Sequence, residues 1–126
     1  MRDSKTYIDL IIAACEKIGS FVGHHTKEEF FQNLMLQSAV IMQLHVIGET
    51  ARKIDTATQA RIDIPWKKIV GLRNRISHDY FELKLDFIWN MASEDVPSLE
   101  SKLRAYLREQ GNEYIPPFGD STSLLD

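Results

Sequence analysis

Between Gly71 and Phe81 the chain reads GLRNRISHDYF, and this window gathers Arg73, Asn74, His78 and Tyr80 within eight residues. A fixed cation, an amide, a titratable imidazole and a phenol are parts suited to work on a phosphodiester. An arginine fork binds phosphate oxygens in pairs and offsets the charge that builds on a pentacoordinate transition state. A histidine, with an unperturbed pKa of about 6.5, exchanges a proton with a ribose 2′-hydroxyl or a leaving 5′-oxygen near neutral pH. That route needs no metal and no cofactor.

Helical geometry sets how these groups relate. At about 100° per residue, Arg73, Ser77 and Tyr80 share one stripe of a helix, and Asn74, His78 and Phe81 share the next. Asn74 is therefore expected to hold His78, one turn away. Arg73 and His78 are five apart and diverge by about 140° on an ideal helix. They converge on one phosphate only if the helix is distorted or a second copy contributes, which points to a site built across a dimer. The plain structural alternative is a surface arginine and a histidine that caps the helix C-terminus. Asp79 sets a carboxylate beside the imidazole, where it either favours the protonated ring or repels RNA.

Charge singles out the same region. The 126 residues carry a net charge of -3, which argues against a protein that coats nucleic acid indiscriminately. From Arg52 to Lys84, however, eight basic residues stand against four acidic ones, a surplus of +4 that leaves -7 for the rest of the chain. Arg75 lies within this basic stretch as a candidate RNA contact.

The elements that must position these groups are helical. Tyr7, Ile11, Ala14, Ile18 and Phe21 follow four, three, four, three spacing, one apolar stripe of a first helix. Thr26 and Glu29 form a T-x-x-E capping box. From there a second helix is expected to run unbroken to Ile54, with Val40, Leu44, Ile47, Ala51 and Ile54 on its buried side. A short helix is expected near residues 55–63. Pro65 suits the start of the helix that carries the motif. A last helical stretch spans Phe87 to Leu107, with a kink or restart at Pro97 and an end at Gly111. With 44% hydrophobic residues and no β-alternation, the chain reads as one all-α domain, an antiparallel bundle of four to five helices over residues 1–110. Residues 111–126 read as a tail, loose or docked on a neighbour. The single cysteine, Cys15, has no intramolecular partner. No apolar run reaches the roughly 20 residues of a membrane span, and MRDSKTYIDL lacks the apolar core of a secretory signal. A cytoplasmic protein is expected.

The segments IGETARKI (47–54), IPWKKIVGLRNRISHDYF (64–81) and FIWNMASEDVPSL (87–99) resemble the HepT-like branch of the HEPN superfamily. The specific feature is R-N-x3-H-x-Y set after I-P-W and preceded by I-G-E. The resemblance implies a bundle that dimerises with two motif helices facing one cleft, and a metal-independent endoribonuclease toxin of a type VII toxin–antitoxin system. It implies Arg73 and His78 as the catalytic pair, Asn74 as an orienting amide, and RNA as substrate. It further implies an MntA-type minimal nucleotidyltransferase antitoxin as partner, which attaches AMP to Tyr80. A phosphate tethered on the Arg73 stripe would occupy the RNA phosphate site. The competing reading is a non-catalytic subunit that binds a nucleotide or substrate for a minimal nucleotidyltransferase complex.

Glu49 is either a supporting partner of the motif helix or a capped carboxylate beside a close helix crossing at Gly48; Ser77 and Asp79 are further supporting candidates. His45 and Glu49 have the spacing of metal ligands but no third ligand, so no metal site is assigned. His24 and His25 read as surface residues of a turn. Trp66, Trp89, Phe30 and Phe31 read as core or interface, and Cys15 as a buried, inert thiol.

Overall fold

The computed structural model of the chain describes residues 3–117. They form helices joined by short turns, with no strand among the described residues. Helix α1 (Ser4–Val22) starts where the Asp3 carboxylate accepts the Thr6 amide, and it buries Ile8, Ile11, Ile12, Cys15 and Ile18. Ile11, Ala14 and Ile18 of the expected stripe are buried, its ends Tyr7 and Phe21 are only partly so, and Ile8 and Ile12 join the core beside it. Helix α2 (Lys27–Gln32) opens with the Thr26–Glu29 capping box, both halves formed.

The long second helix expected from Thr26 to Ile54 is broken at Asn33. There the backbone leaves helical geometry (φ -119°, ψ 98°), and the Asn33 side chain accepts the Leu36 amide at 3.0 Å, starting helix α3 (Leu34–Ala51). An asparagine competes for nearby backbone donors and so favours a cap over a helix interior. Gln37 completes the break by donating to the Phe31 carbonyl and to that of Phe30, which also accepts the Asn33 amide. The resulting bend tucks Phe30 into the core, with its ring 5.4 Å from that of Trp89.

Helix α4 (Thr56–Gln59) is the short helix expected in the 55–63 region, capped by Asp55. Helix α5 (Trp66–Asp79) begins after Pro65 and buries Ile69, Leu72 and Ile76. The Trp66 indole is pinned by donating to the Gln59 and Ile62 carbonyls at 2.9 and 3.1 Å. After a 3-10 turn at Tyr80–Glu82 come α6 (Leu85–Asn90), a π-helical turn (Met91–Asp95) and α7 (Val96–Glu109). Pro97 sits in the first turn of α7, and the backbone stays right-handed helical from α6 into α7. The disruption expected at the proline takes the form of the π-helical turn just before it. The wide turn before it accommodates a residue that lacks an amide and whose ring would clash with the carbonyl four residues back. Gly111 takes φ +70°, and the bonds from Gly111 to Arg108 and from Asn112 to Leu107 close α7 as a Schellman motif.

Partner pairs give the topology. Ser4 bonds Asp55 at the far end of α3, and Arg104 of α7 meets Glu16 of α1 at 2.9 Å while Lys5 reaches the Glu113 carbonyl. Thus α1 lies antiparallel to both α3 and α7, and α3 in turn packs against α5. Of the stretch read as a tail, residues 112–117 run back along their own chain, where the Tyr114 hydroxyl donates to Glu16 and the Arg104 guanidinium covers the Tyr114 ring. Residues 118–126 lie outside the described residues. No helix among the described residues is long and apolar enough to cross a membrane. Cys15 is buried, and desolvation pushes its thiol well above the ordinary range, which suppresses thiolate chemistry.

Candidate active site at the α3–α5 crossing

The motif helix is located by a glycine. A Cβ placed on Gly48 of α3 would lie 2.7 Å from the Arg73 amide nitrogen and 3.0 Å from the Ile69 carbonyl oxygen, both backbone atoms of α5. Only glycine permits this approach. The two helices run antiparallel in a steady register, so that Glu49 meets Arg73 and, one turn away, His45 meets Ser77.

At the first rung, Glu49 Oε2 lies 3.0 Å from Arg73 Nε, close enough for an ion pair but outside hydrogen-bonding alignment. Its other oxygen accepts from the Arg52 guanidinium at 2.6 Å. That hydrogen bond, with the charges of Arg52 and Arg73 behind it, outweighs partial burial and holds the Glu49 carboxyl below the usual carboxylate range. The close crossing at Gly48 is what brings Glu49 onto the motif helix. Arg73 also donates through Nη1 to Asn74 Oδ1 at 2.9 Å. Its Nε side is therefore occupied, and Nη2 makes no hydrogen bond or ion pair among the described residues.

Asn74 does not hold His78. Its oxygen is taken by the neighbouring guanidinium, a charge-assisted bond stronger than a neutral one to imidazole. His78 is exposed in the last turn of α5 and makes no hydrogen bond among the described residues. Asp79, also exposed, forms no ion pair with it. Tyr80 is 46% exposed just beyond the helix, with the Phe81 ring edge-on to its own at 5.5 Å. Arg75 points away from this group, its guanidinium stacked on Phe87 at 4.0 Å.

At the second rung, His45 Nε2 lies 3.3 Å from the Ser77 hydroxyl. Sequence reasoning weighs His45 only as a metal ligand beside Glu49 and counts Arg52 only in the basic stretch, so it assigns neither to the motif helix. The signal was present, since the i, i+4 pair His45 and Glu49 mirrors Ser77 and Arg73 across an antiparallel crossing. Reading it required knowing that α3 and α5 touch. A cleft of about 330 Å³ opens beside this rung, with Ile41, Met42, Ile76 and Tyr80 on its walls.

A family model described as Ribonuclease HepT-like matches residues 11–106, from α1 through most of α7. The chain belongs to the HepT-like ribonuclease family. Among relatives of this HepT-like chain, the protein called "Putative RNase MJ1380" of Methanocaldococcus jannaschii is 33% identical over 103 residues, covering 81% of this chain and 94% of that one. "Probable ribonuclease HepT" of Thermococcus cleftensis is 32% identical over 102 residues, covering 80% and 93%. "Putative RNase TTE0752" of Caldanaerobacter subterraneus subsp. tengcongensis is 26% identical over 111 residues, covering 87% and 99%. No solved structure matches the chain.

Proposed function

We propose that this HepT-like chain is a metal-independent endoribonuclease toxin whose cleft is shared by two copies. The observation that carries the reading is the anchoring of Arg73. Gly48 and Glu49 fix its backbone and its Nε side at the crossing, Asn74 takes Nη1, and Nη2 is left for a phosphate. In the proposed reaction Arg73 binds the scissile phosphate and offsets its growing charge. His78 exchanges a proton with the ribose 2′-hydroxyl or the leaving oxygen, and Asn74 orients Arg73 through their shared hydrogen bond.

The homodimer is supported by the surface around the motif. Met35 and Met42, seven apart and hence on one stripe of α3, are 84% and 58% exposed, and Phe81 is 98% exposed. Large apolar side chains left in water beside a charged motif suit contact with a second copy. Such contact would bring one copy's His78 to the other's Arg73 despite their divergence on a single helix.

Neutralisation is proposed to come from an MntA-type nucleotidyltransferase that attaches AMP to Tyr80. The exposed phenol supports this reading, as does its place on the wall of the cleft beside His45 and Ser77. Incubating the chain with that partner and ATP, then measuring intact mass, tests it. A gain in AMP units that is lost in Tyr80→Phe is expected; an unmodified wild-type chain would overturn it.

A further inference from the structure

We propose that His45 is a second proton-transferring group of the cleavage site. The inference rests on the ribonuclease reading above and extends it to a residue outside the R-x4-H motif.

Internal cleavage of RNA moves two protons. One leaves the 2′-hydroxyl as its oxygen bonds to phosphorus, and one reaches the 5′-oxygen as the phosphorus–oxygen bond breaks. The products are a 2′,3′-cyclic phosphate and a 5′-hydroxyl, with no change of oxidation state. The motif contains one imidazole. Arg73 stays protonated and cannot serve as a base, and Glu49 is held by two guanidinium groups. His45 meets the requirement by position. Its Nε2 touches Ser77, on the same stripe of α5 as Arg73 and the residue directly before His78. Its ring is half-buried, and its Nδ1 makes no hydrogen bond among the described residues.

The cleft beside His45 gives it something to act on. At about 330 Å³ it reaches the lower end of the roughly 300–1,000 Å³ typical of small-ligand sites. Its apolar floor (Ile41, Met42, Ile76) and its Tyr80 ring suit a ribose and base, while Arg73 lies one turn along α5 for the phosphate. The charged and titratable groups around His45 are Glu49 on α3 and Arg52 at its C-terminal end, Arg73 from α5, and Tyr80 from the 3-10 turn that follows. Within one copy, Arg73 therefore shares its face with His45, and His78 is turned about 140° from Arg73 round the helix.

The test is the pH dependence of cleavage of random-sequence RNA by the full-length chain, comparing wild type with His45→Gln and His45→Ala. Wild type is expected to give a bell with two limbs. His45→Gln, which can keep a hydrogen bond to Ser77, should lose one limb and about 10²–10⁴-fold in rate. Imidazole added to His45→Ala should restore cleavage in proportion to its concentration. Variants that keep both limbs and cleave within about twofold of wild type would overturn the proposal. So would a rate loss with both limbs kept and no response to imidazole, which marks a structural role. If wild type cuts no RNA at any pH, the ribonuclease reading itself fails and this proposal with it. Loss confined to His78 variants overturns only the role of His45.

Discussion

Glu49 and Arg73 meet at 3.0 Å across the antiparallel crossing of α3 and α5, one residue beyond the glycine whose missing side chain lets the two backbones touch. The spacing of the helices and the position of the guanidinium are thus set by neighbouring residues of α3.

The first prediction concerns that contact. Gly48→Ala places a methyl group against backbone atoms that cannot rotate away, so α5 must shift at Arg73 itself. Overpacking of this kind costs about 1–3 kcal/mol. Urea denaturation is expected to show that loss, together with a fall in RNA cleavage at temperatures where the variant stays folded. Unchanged stability would mean that the helices are not held this close.

The ion pair itself makes a prediction about pH. The folded-state pKa of Glu49 is lowered, so its contribution to stability is present above the unfolded value of about 4.3 and is lost as pH falls through the lower, folded value. Glu49→Gln removes that contribution. The difference in denaturation midpoint between wild type and Glu49→Gln should be largest near neutral pH and shrink as pH falls below about 4.3. A difference that grows towards acid would reverse the sign of the pairing.

Much of this was legible in the sequence because it depends on local rules. The T-x-x-E box, the apolar stripe of α1, the start after Pro65 and the end at Gly111 each follow from side-chain chemistry within one or two turns. The break at Asn33 was not legible. Apolar periodicity continues through it, and the bonds that stabilise it come from Gln37 and from the burial of Phe30 against α6. In the candidate site, Arg73, His78 and Tyr80 could be named from spacing. The partner of Asn74 and the importance of His45 depend on which donor lies nearer in space, and a helical wheel does not contain that information.

Asn33 supplies a third prediction, separate from chemistry. Asn33→Ala removes the side-chain acceptor for Leu36 and is expected to cost about 1 kcal/mol. The site lies more than two turns along α3, so RNA cleavage per folded molecule should stay at the wild-type level. A large loss of cleavage would tie the α2–α3 bend to the site.

The shared cleft is tested by mixing. Arg73→Ala and His78→Ala chains, each inactive alone, should regain partial activity when unfolded together and refolded, because a mixed dimer holds one cleft with an intact arginine and an intact histidine. No recovery, with mixed dimers verified by mass, would place both groups of each site in one chain.

The most direct test is cleavage of RNA in the presence of EDTA by the purified wild-type chain and by His78→Ala. His78 is exposed and makes no hydrogen bond among the described residues, so its loss should change stability by no more than about 0.5 kcal/mol while lowering the cleavage rate about 10²–10⁴-fold. A folded His78→Ala chain that cuts RNA as fast as wild type would contradict the assignment.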